Sequence, residues 1–530
     1  MSSRLIMETL QSEFADHLAK IYVQHEDEIQ VELLSERLDW LPKICLFVHH
    51  QWKAFFVSAW ASDGCKQEHQ FKLHYLFSLD NEKLFLVIHA PVSADQPDFP
   101  SVAAHLIAAN WAEREIQDTF GLTAVGHPNP KALWSHPDWP SSTFAMRKDF
   151  SIHSNPTRVD GDFPIASVEG EGVLEIPVGP IHAGIIEPGH FRFSVAGEPI
   201  IRLQAQLFYT HKGTEKLAEG LSPERVLHLS ERVSGDSTFG HSTAFCHAVE
   251  RMCGLTIPER AQSLRILCLE LERIHNHLSD IGMIANDVAF LIGYAHAMRV
   301  REDVMSLNER LWGSRLIRGV NALGGVRRDL SLSIIPEIKS LMIKVREELR
   351  ELDQILMNSA SVVDRLETTG ILHQSTAKDI GIVGIAGRAS GLDRDFRRDH
   401  PHLGYSRLTF NVPTRQTGDV MARTQVRIDE VMESTQIIEQ ILQKIPDGPI
   451  KISTPELPKS AFALGYCEGW RGPILHALET DSHGAITRYK IDDPSFHNWP
   501  ALLFAVQGNI VPDFPLINKS FNLSYSGNDR

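Results

Sequence analysis

The sequence predicts an α+β protein: a small α/β N-terminal domain, then a mainly helical domain with β-rich N- and C-terminal parts. Three observations predict it. Short apolar runs bounded by turn residues fill the chain up to residue 150. Apolar residues at helical spacing dominate from about 240 to 360, and shorter segments with Gly and Pro return after Ser453. The expected division is a first domain at 1–150, a polar linker at 151–172 and a second domain at 173–530.

In chain order, Ile44-Cys-Leu-Phe-Val-His and Lys83-Leu-Phe-Leu-Val-Ile-His are expected to be strands, and the Pro/Asp-rich stretch from Pro91 to Pro100 a loop. A helix follows through Trp111, Glu115 and Asp118, which share one side, and Gly121 is placed to end it. The linker contains Asn155-Pro156, Asp160-Gly161 and Gly170-Glu-Gly172. The second domain opens with expected strands, Val173-Leu-Glu-Ile-Pro-Val leading into Gly179-Pro180-Ile-His182, and Glu187-Pro-Gly-His190-Phe-Arg192-Phe leading into a hairpin. Leu264, Leu267, Leu271, Ile274, Leu278 and Ile281 repeat at helical spacing, predicting a helix from Pro258 to an exit at Gly282. Ile334 to Leu366 reads as a second long helix with a charged outer face, and Gly324-Gly325 as a turn.

A net charge of −15 argues against nucleic-acid binding, which needs a basic face for phosphate contacts. Cys45, Cys65, Cys246, Cys253, Cys268 and Cys467 include no C-x-x-C pair, so buried free thiols in a reducing compartment are expected. The first ten residues hold too short an apolar stretch for a secretory signal. No run approaches the ~18 apolar residues of a membrane span; Ala501-Leu-Leu-Phe-Ala-Val is broken by Gln507. Membrane attachment is expected through a partner. No G-x-G-x-x-G after a strand and no Walker loop is visible, so any nicotinamide would bind another subunit. His275 and His277 lie two apart on a helix and face different ways, which disfavours a zinc site.

The pattern Trp111-x-Glu113-Arg114-Glu115-x-x-Asp118-x-Phe120-Gly121, with Gly126-His127-Pro128 and Met146-Arg147-Lys148-Asp149-Phe150 after it, resembles the small hydrophilic (C-type) subunit of complex I. Six later segments resemble the [NiFe]-hydrogenase large subunit and the quinone-site (D-type) subunit of complex I. They are Gly179 to Arg192, His211-Lys-Gly-Thr-Glu215-Lys216, Arg232 to His241, Glu270-Leu-Glu272-Arg273-Ile-His-Asn-His277, Gly387-Arg388 to Asp395, and Glu468-Gly-Trp-Arg471-Gly472. The order of the two parts is similar to the large subunits of formate hydrogenlyase and hydrogenase-4 and to fused complex I subunits.

Against that resemblance, four positions stand out. Arg232-Val-Ser-Gly-Asp-Ser-Thr-Phe-Gly-His241 resembles the hydrogenase loop R-x-C-x-x-C-x-x-x-H with serine at both cysteines, Ser234 and Ser237. Ser524-Tyr-Ser-Gly-Asn-Asp-Arg530 resembles the closing D-P-C-x-x-C loop, with Ser524 and Gly527 at the ligand positions and no cleavable extension after Arg530. A Ni–Fe centre needs soft thiolates, so no metal is expected here.

The resemblance also implies site residues. His190 matches the histidine that reaches the quinone headgroup, and an imidazole titrates near neutral pH. Asp287 keeps the ten-residue spacing from His277, and beside His190 it would hold the tautomer and raise the imidazole pKa; a helix cap starting near Val288 is the alternative. Arg471 resembles the arginine over the metal site, free to stabilise an anionic acceptor or to pair with Asp287 or Glu187. Glu187 lies within about one residue of the hydrogenase proton-transfer glutamate. Asp236 and Ser237 could make polar contacts to the acceptor. The loop at 232–241 lacks the tyrosine that complex I supplies.

The implied role is a peripheral-arm subunit on the cytoplasmic side of the cell membrane. It would bind no cofactor itself, receive electrons from an Fe–S cluster in a small partner protein, pass them to a quinone-like acceptor, and couple this to ion movement in membrane-arm subunits. A non-catalytic scaffold is the alternative, and an active hydrogenase the third and weakest reading.

Overall fold

The computed structural model describes residues 3–64, 69–161, 165–183 and 186–530. The chain forms two compact units, Met1–Ala166 with Asp379–Gly381, and Ser167–Lys378 with Ile382–Arg530. Each is described by itself.

The first unit is built on a mixed five-stranded sheet. Its strands are β1 (Leu18–His25), β2 (Glu28–Leu33), β3 (Phe55–Asp63), β4 (Gln70–Leu79) and β5 (Leu84–Ser93), in the order β1-β2-β5-β4-β3. Only β2 and β5 run parallel. The central strands are buried on both faces, which explains their near-continuous apolar runs. Two expectations fail here. Ile44 to His49 belongs to a helix, α1 (Leu41–Trp52), with Pro42 in its first turn. Leu41, Ile44, Cys45, Val48 and Trp52 are its buried face, a 3.6-residue repeat that the shorter apolar run disguises as a strand. The Pro91–Pro100 stretch is not all loop either, since β5 continues to Ser93 and Asp98–Pro100 pairs with Thr123–Val125.

Helix α2 (Asn110–Phe120) ends at Gly121 as expected, with φ 66° at the cap. Its carboxylates organise loops. Glu113 accepts hydrogen bonds from Tyr75 Oη (2.9 Å), Ser101 Oγ (2.5 Å) and the Val102 N–H (2.7 Å). Asp118 accepts three consecutive backbone N–H groups, from Leu133, Trp134 and Ser135. The acidic pattern of this segment therefore closes loops on a buried helix, satisfying backbone donors that would otherwise be orphaned.

The second unit opens with the antiparallel strands β6 (Val173–Val178), β7 (His190–Ala196) and β8 (Ile200–Gln206), with β7 central. Helix α3 (Thr238–Met252) follows, then α4 (Glu259–Asp287), α5 (Leu291–Trp312), α6 (Ile335–Met357) and α7 (Val420–Gln443). The chain closes with strands β9 (Phe462–Glu468), β10 (Pro473–Thr480) and β11 (Ile486–Asp492), then helices α8 (Pro494–Ala505), α9 (Phe514–Phe521) and α10 (Tyr525–Asp529).

Helix α4 does not exit at Gly282; it runs to Asp287. Gly282 serves a close approach instead. A Cβ there would lie 3.0 Å from Ala297 Cβ on α5, so glycine lets the two helices meet. Asp287 is accordingly the last residue of α4 and not a cap of the next helix, whose N-cap is Phe290. The expected helix from Ile334 to Leu366 is two, α6 and Ala360–Leu366, divided at Asn358–Ser359. Leu323 and Gly324 form the turn joining two short paired strands, and Gly325, like Gly324 at positive φ, opens the second strand. Cys45, Cys246, Cys268 and Cys467 are buried free thiols and Cys253 is half-buried, while Cys65 lies outside the described residues. Among the described residues no helix is long and apolar enough to cross a membrane.

Candidate functional site

The loop before α3 and the loop before α10 meet. Ser234 Oγ lies 2.9 Å from Ser524 Oγ although 290 residues separate them. Ser524 also accepts the Gly527 N–H at 2.8 Å, capping the short α10. Ser234, Ser237, Ser524 and Gly527 are thus assembled at one place, the first three as hydroxyl oxygens and the last as bare backbone. Hard neutral oxygens of this kind do not hold nickel as thiolates do.

Asp236, between the two serines of the first loop, organises the site. It accepts from Ser234 Oγ at 2.7 Å and from Ser237 Oγ at 3.3 Å. Arg471 grips the same carboxylate with both terminal nitrogens, at 2.7 and 2.6 Å, and its guanidinium lies 3.9 Å from the Trp470 ring centroid. Trp470 Nε1 donates to the Asp236 carbonyl and to Ser237 Oγ. Burial would raise the Asp236 pKa, but Arg471 and the serine hydroxyls overcome it and hold the carboxyl down at about 2. Arg471 pairs with neither Asp287 nor Glu187: the aspartate of its own site is nearer, and a bidentate fork satisfies it there.

Glu187 reaches the site by another route, accepting the Ser526 N–H at 3.1 Å. Gly189 packs directly on Tyr525, since a Cβ there would lie 2.5 Å from a ring carbon. His190, the next residue, is half-buried at the start of β7, and its Nδ1 is 3.3 Å from the Gly179 carbonyl. Asp287 is elsewhere in its contacts. Its Oδ2 is buried without a hydrogen bond, and burial raises its pKa against the opposing charge of Lys519. No hydrogen bond or ion pair joins His190 to Asp287. The ten-residue spacing puts Asp287 at a helix end, and helix α4 spends those residues on nearly three further turns.

Four groups are not singled out by the sequence, although Glu272 lies inside a matched segment. Glu272 accepts the Phe239 and Gly240 N–H groups at the start of α3, while burial and the Asp236 anion push it up to about 8. Asp493, His476 and Tyr489 join His241 in a buried chain that ends at Gly527. The only local signal is Asp493-Pro494-Ser495, which reads as a helix start, and Asp493 does cap α8 through the Ser495 N–H. His275 bonds the Leu271 carbonyl and His277 bonds Glu430, so the two face apart as expected.

Two loops that meet beside buried acid–base groups fit the class of redox-complex large subunits that the sequence resembles. The family models narrow it. The respiratory-chain NADH dehydrogenase 30 kDa subunit matches residues 36–156, and the 49 kDa subunit matches 280–463. Formate hydrogenlyase subunit 5 of Escherichia coli is 35% identical over 513 residues, spanning 96% of this chain and 90% of its own. Hydrogenase-4 component G of the same organism is 34% identical, spanning 94% and 88%. The fused C/D polypeptide of the NADH-quinone oxidoreductase of Bdellovibrio bacteriovorus is 28% identical over 92% of this chain and 93% of its own. Among solved structures, a chain of the membrane-bound sulfane sulfur reductase, an archaeal respiratory membrane complex, superposes with a TM-score of 0.64 at 27% identity. It covers 69% of this chain and 100% of that one. The chain belongs to the family of fused 30 kDa/49 kDa complex I-type subunits that includes these formate hydrogenlyase and hydrogenase-4 proteins.

Proposed function

We propose that this chain is the electron-transfer subunit at which a complex I-like membrane complex reduces a quinone-like acceptor without nickel. Electrons would come from an Fe–S cluster in a small partner protein. Membrane-arm subunits would hold the complex on the cytoplasmic face of the membrane and couple the reaction to ion movement. The observation that supports this most directly is the meeting of the two loops: they touch at Ser234 and Ser524, and Arg471 is fixed beside them through Asp236. A chain kept only for its outer surface has no need of a guanidinium buried at that place.

In this reading, His190 and Glu187 lie beside the loop of Ser524 as candidate proton-handling groups, Arg471 supplies fixed positive charge, and Ser237 and Asp236 are polar contacts for the acceptor. Asp287 is a second carboxyl, already inclined by burial to hold a proton. A scaffold role draws support from one feature, the partial neutralisation of Arg471 by Asp236.

The complex purified through this chain should contain iron and no stoichiometric nickel. With reduced methyl viologen as donor, it should reduce a short-chain ubiquinone, and Arg471→Ala should slow that reaction while the complex stays assembled. Polysulfide is the second acceptor to assay, because the structural neighbour is a sulfane sulfur reductase. An assembled complex inert towards both acceptors would favour the scaffold. About one nickel per chain would end the proposal.

A further inference from the structure

The place of the fourth metal ligand is not vacant. A Cβ built on Gly527 would lie 2.5 Å from Asp493 Oδ2, 2.7 Å from its Cγ and 2.9 Å from Oδ1. Any side chain at 527, cysteine included, would need the carboxylate to withdraw. A contact with the tip of a flexible side chain is cheap to relieve, but this tip is held on both oxygens. Oδ1 accepts the Ser495 N–H at 2.7 Å, and Oδ2 takes a hydrogen bond from His241 Nε2 at 3.0 Å.

His241 is held in turn. Its Nδ1 is 3.1 Å from His476 Nε2, and His476 Nδ1 is 2.9 Å from Tyr489 Oη. His241, His476 and Tyr489 are completely buried and Asp493 nearly so, and Tyr489 ends the chain in the apolar cluster around Phe245, Val249 and Ile491. The bonding directions follow from the ends. A carboxylate only accepts, so His241 Nε2 carries hydrogen. With His241 neutral, its Nδ1 accepts from His476 Nε2, and His476 Nδ1 accepts from the tyrosine hydroxyl. With His241 protonated, the two outer bonds reverse, and His241 Nε2 still donates to Asp493. Either state fixes the carboxylate in one rotamer.

We infer that Asp493, positioned by the chain Tyr489–His476–His241, takes the fourth ligand's place and bars a metal from the site even when thiols are returned to it. This goes beyond the electron-transfer proposal and holds whatever the acceptor is. Returning four thiols would then not be enough to rebuild a metal site, because a buried carboxylate with its own supports occupies the space. Its negative charge also lies within reach of Arg471, whose charge helps to hold its pKa down.

Cadmium, read by its thiolate charge-transfer band, is the probe on the full-length chain. The variant Ser234→Cys/Ser237→Cys/Ser524→Cys should bind it with three thiolates. Adding Gly527→Cys should leave the affinity unchanged while Asp493 is present, and should raise it about 10- to 100-fold once Asp493→Ala opens the position, a range like that of groups supporting metal ligands. Equal gains with and without Asp493 would overturn the inference. In case the cysteine variants fail to fold, Gly527→Ala should lower the melting temperature, and should lower it less in an Asp493→Ala background; an innocuous Gly527→Ala would likewise overturn the inference. Tyr489→Phe in the four-cysteine background should loosen the carboxylate and raise cadmium affinity, while the lost buried hydrogen bond to His476 lowers the melting temperature. An unchanged affinity there would remove the chain from the argument.

Discussion

Arg388 and Arg471 are both buried arginines from matched motifs, but their surroundings differ. Arg388 lies in a web that runs through four elements. It binds Glu430 of α7 at 2.8 Å and Glu468 of β9 at 3.0 Å, and Glu430 also takes His277 and Arg273 of α4. Glu270 adds Ser434, Tyr405 and Arg397, and Arg397 grips Asp395. Every one of these charges has at least one partner of opposite sign or a hydrogen bond, and the side chains of Arg388, Glu430 and Glu468 are at most 1% exposed. Arg471 instead has one carboxylate, Asp236, whose side chain is still 39% exposed. The difference separates structure from site. Most of the charged motif residues hold helices and strands together, and the residues that can act on something outside the protein are those, like the Arg471–Asp236 pair, with a single ionic partner and one side open to solvent.

Breaking the web should have the largest effect. Arg388→Met leaves Glu430 and Glu468 short of their strongest partner, and truncating one member of a buried ion cluster costs about 3–5 kcal/mol. Chemical unfolding of the variant measures it. A loss under about 1 kcal/mol would show that the web is no more structural than the loop site and would collapse the contrast.

Glu272 lies between the two regions, and pH sharpens the comparison there. Its folded pKa, about 8, lies above the ordinary 4.5. Between those values the folded chain keeps a proton that the unfolded chain has lost. This group's contribution is therefore whole below about pH 4.5 and declines as pH rises towards 8, with a slope of at most about 1.4 kcal/mol per pH unit. Glu272→Gln should flatten that part of the stability–pH curve. An unchanged slope would mean that the two backbone N–H groups keep Glu272 ionised after all.

The Arg471–Asp236 pair should contribute less. Solvent reaches Asp236, so a double-mutant cycle with Arg471→Ala and Asp236→Ala should give a coupling of about 1 kcal/mol in thermal unfolding. A value like that of the web would make this a structural pair and favour the scaffold.

Both regions are visible in the sequence, but nothing there tells them apart. Ser234, Ser237, Ser524 and Gly527 are legible because a substituted ligand in an intact motif is conspicuous, and the structure gathers all four. Arg471 is legible as a charge and not in its pairing, because its partner Asp236 lies 235 residues away. Asp493 is hidden by a second duty, since an Asp-Pro-Ser segment already has a sufficient explanation as a helix cap. His476 and Tyr489 sit on neighbouring antiparallel strands, and nothing in either strand's alternation says what the inward side chain meets. The helix at Leu41–Trp52 is masked for the opposite reason: a short, mostly apolar run fits a strand until the spacing of Leu41 and Trp52 around it is counted.

His190 and Asp287 give the smallest expected effect and the finest test. The resemblance implies a bonded unit, in which two substitutions would cost little more than one. The structure gives them no common bond: His190 turns to the Gly179 carbonyl, and Asp287 ends α4 near Lys519. Groups that share no partner act independently, so the effects of His190→Ala and Asp287→Asn on quinone reduction should add to within about 0.5 kcal/mol of activation free energy. His190 adjoins the loop site through Gly189, which packs on Tyr525, so it should account for most of the sum. Strong non-additivity in the assembled complex would mean that turnover brings the two side chains together, and the site would then have to close around its acceptor by moving β7 towards the end of α4.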